Sequence, residues 1–174
     1  LKNRADHSAA FSRRRFLAAG LAMSLQYSVS LAAAARDPLA ILTQIYRDAV
    51  KGRGPSWIDD GERPKYLSKS LIALWAKSDK KTPPGDEGPI DFDLVCDTNG
   101  LSLAGFSLKV EKQDERTATI AATLAYSAGD ANPGTTIVTY DLVREDGQWK
   151  IDEMRGSGAT VWSLRDMLTR SLKD

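Results

Sequence analysis

Thr119-Ile120-Ala121-Ala122-Thr123-Leu124-Ala125-Tyr126 decides the fold of this 174-residue chain. Ile120, Ala122, Leu124 and Tyr126 alternate with Thr119, Ala121, Thr123 and Ala125, and a strand turns that period of two into one apolar face. The pattern recurs on both sides. Phe106, Leu108 and Val110 alternate with Gly105, Ser107 and Lys109; Val138, Tyr140 and Leu142 follow the turn signal Asn132-Pro133-Gly134; Trp149 and Ile151 follow Glu145-Asp146-Gly147. Successive strands joined by turns predict an antiparallel meander with one strongly apolar face. The opposite face carries Thr, Ala and Ser.

Outside the sheet the period lengthens. Asp37-Pro38 opens a helix in which Leu39, Leu42, Ile45, Tyr46 and Ala49 share one face, and Gly52 and Gly54-Pro55 end it. A second helix is predicted from Pro64 to Ser78, with Leu67, Leu71, Leu74 and Trp75 as its stripe. The segment 79–89 reads as a surface loop, and 90–97 as either a short strand or an irregular buried segment. A C-terminal helix capped by Thr160 or Ser163 carries Leu164, Met167, Leu168 and Leu172 on one side. The class is α+β: helices packed on one face of a curved antiparallel sheet of about four strands, with a C-terminal helix.

Ahead of the first helix, Ser12-Arg13-Arg14-Arg15-Phe16-Leu17 runs into an apolar stretch and then Ala32-Ala33-Ala34-Ala35. Paired arginines, Phe-Leu, a moderately apolar run and small residues have the form of a twin-arginine export signal. The expected organisation is a signal peptide over 1–35, cleaved near Ala34/Ala35, and a single domain over 36–174 in the periplasm, with the twin-arginine machinery as export partner. Ala18–Leu31 holds Ser24, Gln26, Ser28 and Ser30 and spans 14 residues, short of the roughly 20 a spanning helix needs, so no stable membrane span is expected.

Removing those 35 residues leaves 19 basic and 22 acidic side chains, a net charge of −3 where the whole chain has +1. Nucleic-acid binding loses its electrostatic basis. His7 is the only histidine and would leave with the signal; Cys96 is the only cysteine. Catalysis by Ser–His–Asp or Cys–His needs an imidazole, and zinc, haem and iron–sulfur sites draw on His and Cys. No catalytic residue, metal site or cofactor is assigned.

Three quoted elements carry a resemblance: Asp37-Pro38 with Ile45-Tyr46, Tyr66-Leu67-Ser68 with Leu71, and Gln148-Trp149-Lys150-Ile151-Asp152-Glu153-Met154. From Asp37 to Leu172 the chain resembles domain-of-unknown-function family 3828, small exported bacterial proteins similar in fold to the nuclear transport factor 2/cystatin-like superfamily. The resemblance implies a cone, formed by the bent sheet and its helices, that serves as a ligand pocket, an enzyme site or a dimerising surface. A homodimer is therefore one of the implied assemblies. The family implies no established reaction.

Candidate constellations follow. Asp91, Asp93 and Asp97 alternate with Phe92, Leu94 and Cys96 but lack the glycine and closing glutamate of a calcium loop, so they read as solvated acids. Asp59, Asp60 and Glu62 sit in a loop beside Trp57. Asp141 shares parity with Ile137 and Val143, and is read either as a buried base or as a charge paired with Lys150 or Arg144. Trp75 and Trp149 fit the core, Trp57 and Trp162 a mouth, and Cys96 a small buried hydrophobe.

The expected role is a non-catalytic module binding a small ligand or an envelope protein between the first two helices and the concave sheet, with Trp57, Tyr66, Tyr126, Tyr140 and Asp141 as ligand-binding residues. The alternatives are a carboxylate-dependent hydrolase or isomerase with Asp141 or Asp152 as base, and an immunity-like inhibitor of an envelope toxin. N-terminal sequencing of protein recovered from the cell envelope should start within a residue or two of Arg36; a start ahead of Ser12 would restore His7 and the mechanisms it permits.

Overall fold

In the computed structural model the stretch around Ile120 is an inner strand of one five-stranded sheet, ordered β1-β2-β3-β4-β5 with every pair antiparallel. The strands are β1 (Leu103–Gln113), β2 (Thr117–Tyr126), β3 (Thr136–Glu145), β4 (Gln148–Ser157) and β5 (Val161–Ser163). The structure describes residues 37–57, 59–86, 88–127, 136–158 and 160–173. The export signal and the Asn132-Pro133-Gly134 turn fall outside these residues.

Four strands form the expected meander; β5 is an addition. Three residues ahead of the last helix are too few to show a period; they pair with β4, where Trp162 lies against Gly156. Between β2 and β3, Ala118, Ile120 and Ala122 face Leu142, Tyr140 and Val138, and all six are buried. The cross-strand register therefore stacks apolar side chain on apolar side chain. Register shifts interrupt the ladders of β1 with β2 and of β3 with β4. In β1 the pairing skips Glu111, which with Lys109 and Lys112 places charge and irregularity along an edge strand that would otherwise invite pairing.

The helices are α1 (Leu39–Ala49), α2 (Arg63–Tyr66), α3 (Lys69–Lys81) and α4 (Leu164–Arg170). Asp37 accepts a hydrogen bond from the Leu39 amide at 2.9 Å, which starts α1, and Gly52 ends that turn with a φ of 68°. Leu42, Ile45 and Tyr46 of α1, Leu71 and Trp75 of α3, and Leu164 and Leu168 of α4 join the apolar sheet face in one core. Each such large side chain contributes about 1.5–3 kcal/mol relative to exposure. At its centre the Tyr46 and Tyr140 hydroxyls meet at 2.8 Å, which satisfies two buried polar groups. No described helix is long and apolar enough to cross a membrane.

The single helix expected over Pro64–Ser78 is two. Leu67 is extended (ψ 154°) and bridges to Ile151, while the Ser68 amide donates to the Ile151 carbonyl at 2.8 Å. Ser68 then caps α3 by accepting from the Leu71 amide at 3.0 Å. Pairing with β4 overrides helical propensity at that point. Lys150 of β4 closes α2 by donating to the Pro64 and Lys65 carbonyls, both at 2.9 Å.

Gly156 makes room for the Trp162 indole: a Cβ there would fall 2.0 Å from Nε1. Gly156→Ala should cost about 1–3 kcal/mol in urea unfolding. Gly105→Ala, whose Cβ would meet nothing within 4 Å, should stay within about 0.5 kcal/mol of the parent.

Candidate functional site

The chain leaving α1 turns at Gly54-Pro55 and brings Trp57 down against the helices. Asp59 accepts from the Gly61 amide at 2.9 Å, and that turn delivers Arg63 as the first residue of α2. Arg63 organises the wall. Its Nε donates to the Trp57 carbonyl at 2.8 Å, its Nη1 donates to Asp79 at 2.5 Å, and its guanidinium carbon lies 4.3 Å from the centroid of the Trp75 ring. The Arg63 side chain is 5% exposed, whereas that of Asp79 is 45% exposed. A guanidinium this buried is tolerated because carboxylate, carbonyl and aromatic face are all supplied.

The opposite wall is the irregular segment after α3. Asp93 accepts from the amides of Val95 at 2.7 Å and Cys96 at 3.1 Å, a local turn that buries Leu94, Val95 and Cys96 in succession. The segment is not a strand, so its acids do not share one solvated face. Asp97 adopts a φ of 53° and turns inward, accepting from the Trp162 indole N–H and from the Gly158 amide at 3.1 Å. Desolvation pushes its carboxyl above the ordinary value, against the lowering effect of those two donors. Phe92 packs edge-on against Trp162 with centroids 5.1 Å apart.

Between these walls lies a cleft of about 810 Å³. Trp57, Trp75, Phe92, Pro55, Pro89 and Ile90 form its apolar surface, and Asp60, Asp86 and Asp91 join Asp79 and Asp93 as its acids. Across Pro55 and Ser56 a smaller cleft of about 360 Å³ holds Tyr66, Asp48, Arg53, Asp59 and Glu62. Trp57 is buried, packs edge-on against Tyr66 at 5.7 Å, and its Nε1 has no hydrogen-bond partner among the described residues.

Trp57 thus lines the larger cleft and Tyr66 the smaller. Tyr126 and Tyr140 act behind the wall: Tyr126 donates to the Cys96 carbonyl at 2.6 Å, and Tyr140 meets Tyr46, which donates to the Val95 carbonyl at 3.3 Å. Burial raises both hydroxyls of the Tyr46–Tyr140 pair above the ordinary phenol value, so they stay protonated. Trp162 lies under Phe92 as a buried β5 residue, not at a mouth. Burial, helped by Asp93, pushes the Cys96 thiol up to about 12, which leaves it un-ionised and unreactive at neutral pH.

The two candidate bases lie elsewhere. Asp141 pairs with Arg155 at 2.6 Å and accepts from Thr119 at 2.9 Å, in place of the Lys150 or Arg144 partner expected from sequence. Partial burial pushes its carboxyl up, but the two hydrogen bonds and the guanidinium charge outweigh that and hold it below the ordinary range. Asp152 is the extra residue of a β4 bulge, since Asp141 pairs with Glu153 and Leu142 with Ile151. It accepts from Ser68 at 2.5 Å, Ser70 at 2.9 Å and Arg165 at 2.6 Å. Among the described residues no three His, Cys, Asp or Glu side chains converge as metal ligands.

Compared with protein-family models, curated proteins and solved structures, the chain matches none.

Arg63, Asp79 and Phe92 are the site residues that sequence reasoning missed. Arg63 and Asp79 lie 16 residues apart, on either side of the helix break at Leu67, so no helical spacing joins them. Asp141→Asn should cost less than about 1 kcal/mol at neutral pH, because both partners are more than a third exposed. A carboxyl lowered in the folded state stabilises above its unfolded value and loses that contribution as pH falls through its folded value. Urea unfolding of the variant and parent should therefore converge in acid.

Proposed function

We propose that this protein is an exported, non-catalytic ligand-binding module of the periplasm, carried there by the twin-arginine route with residues 1–35 as the cleaved signal. In this reading its α+β domain is a cone-shaped relative of family 3828 and of the nuclear transport factor 2/cystatin-like superfamily. Its ligand sits in the Trp57–Trp75–Phe92 cleft, with Tyr66 at the adjoining hollow.

One observation carries the reading: a cleft of about 810 Å³ pairs an aromatic surface with a buried, fully engaged arginine. That volume suits a small molecule, and aromatic walls with a few fixed polar groups are what small ligands need. The carboxylates offered as catalytic bases are committed to Arg155 and Thr119, or to Ser68, Ser70 and Arg165, and neither lines either of the two clefts described above. Among the described residues the exposed large hydrophobics are Val50 and Val161 alone, which favours a recessed ligand over a protein docked on an apolar face.

Ser56 is exposed at the rim, so Ser56→Trp should obstruct the cleft without disturbing the core. Native mass spectrometry of protein purified from the envelope should show a small-molecule adduct that Ser56→Trp abolishes while the melting temperature stays unchanged. The bare polypeptide mass for both proteins, or an adduct indifferent to the substitution, overturns the reading.

A further inference from the structure

We infer that Asn99 is a site of spontaneous deamidation, and that its conversion to aspartate and isoaspartate loosens the Asp91–Asn99 wall of the cleft. The inference goes beyond the binding reading and stands whether or not the cleft holds a ligand. The chain has three asparagines. Asn3 precedes Arg4, and Asn132 precedes Pro133, whose nitrogen carries no proton to give up. Asn99 alone precedes a glycine. Asparagine is thermolabile because the next residue's amide nitrogen can attack its side-chain carbonyl. A Cβ on that next residue obstructs the approach, and Gly100 has none.

The fold leaves both reacting groups open. Asn99 and Gly100 are exposed, so water and base reach them. Among the described residues the Gly100 amide donates to nothing. Gly100 holds a φ of 81°, in the left-handed region that favours glycine. The Asn99 side chain makes one hydrogen bond among the described residues, from Nδ2 to the Asp91 carbonyl at 2.8 Å, in an exposed position where water competes for it. The Gly100 nitrogen, giving its proton to solvent base, bonds to Asn99 Cγ. The adduct expels the side-chain nitrogen, which takes a proton from solvent and leaves as ammonia, and a five-membered succinimide remains. Water then opens one of the two imide C–N bonds, giving aspartate with the original main chain or isoaspartate with the main chain routed through Cγ. One water enters, one ammonia leaves, and nothing is oxidised or reduced.

The same side chain helps close the wall. The turn that buries Leu94, Val95 and Cys96 is drawn together at its base by two bonds. The Asp93 amide donates to the Thr98 carbonyl at 3.3 Å, and Asn99 Nδ2 donates to Asp91. A carboxylate at position 99 has no N–H to give the Asp91 carbonyl. Its charge joins a cleft already lined by Asp91 and Asp93. An isoaspartyl link also lengthens the main chain by one carbon. Each of these changes acts against closure.

Protein purified from the envelope, incubated at mildly alkaline pH in water enriched in heavy oxygen and then mapped by peptide mass spectrometry, tests both halves. In the folded protein the peptide carrying Asn99 should gain the mass of an amide-to-acid exchange with one heavy oxygen, in aspartyl and isoaspartyl forms. Its rate should lie within about tenfold of the rate in guanidinium chloride, the factor that one exposed hydrogen bond can impose. The rate should also rise with pH, since the attacking nitrogen must lose its proton. Asn99→Gln, whose longer side chain closes a six-membered ring far more slowly, should keep its amide. An Asn99 that stays intact in the folded protein while the unfolded protein converts overturns the inference, because the fold then protects the site. For the second half, amide hydrogen exchange at Leu94, Val95 and Cys96 should quicken about tenfold in Asn99→Asp, the loss of one hydrogen bond at the base of the turn. Exchange equal to that of the parent overturns the loosened wall.

Discussion

Burial of the Arg63 guanidinium is the constraint on which the site depends. Stripped of water, such a charge costs several kcal/mol, and the cost is met only if its partners stay in place. Among those partners are the Trp57 carbonyl from the loop after α1 and, from α3, Asp79 in its last turn and the Trp75 ring one turn earlier. Moving any one of them leaves a buried cation short of a partner. The loop is therefore fixed to α3 through a side chain, without a strand or disulfide. Trp57, an apolar residue in a stretch marked by Gly54, Pro55 and Gly61, gains a fixed position in a cleft wall from that tether.

The break between α2 and α3 serves the same end. Had the helix run unbroken from Pro64 to Ser78, Leu67 would have stayed in its stripe and the Ser68 amide would have bonded within the helix instead of to β4. Bridging of Leu67 to Ile151 draws the chain onto β4. The Asp152 bulge then supplies a carboxylate that gathers Ser68, Ser70 and Arg165, so the start of α3 and the start of α4 are tied to one residue of the sheet. Side-chain oxygens that would otherwise be half-buried and idle become the joint between layers. The far end of α3, where Trp75 and Asp79 lie, is thereby set relative to the sheet.

How much of this was legible in the sequence follows from which contacts are local. Alternation around Ile120, Tyr140 and Ile151 was enough to predict the four-strand meander, because period two is written in consecutive residues. The α1 stripe and the Ser163 cap were legible for the same reason. The helix break was hidden, since Leu67 obeys the helical stripe and departs from it only through a partner 84 residues on, Ile151. Asp97 misled because its alternation with Cys96 reads as strand, while its inward turn depends on Gly158 and Trp162. Tyr126 and Tyr140 were singled out as aromatic lining. They reach the site only through the Val95 and Cys96 carbonyls, a link no spacing rule encodes.

Charge placement around the cleft sets its chemistry more firmly than its shape does. Like charges held near one concavity repel, and a surface under no other demand would intersperse them with cations. This chain has lysines to hand: Lys77, Lys80 and Lys81 lie on α3 beside Trp75 and Asp79, yet none lines the cleft. The single arginine that does line it is turned inward and neutralised, so it contributes framework and no outward field. Asp93 spends one carboxylate oxygen on the Val95 and Cys96 amides, which fixes its position while leaving its charge in place. The result is a cleft that pairs aromatic side chains with acids, with the lysines of α3 nearby but outside its lining.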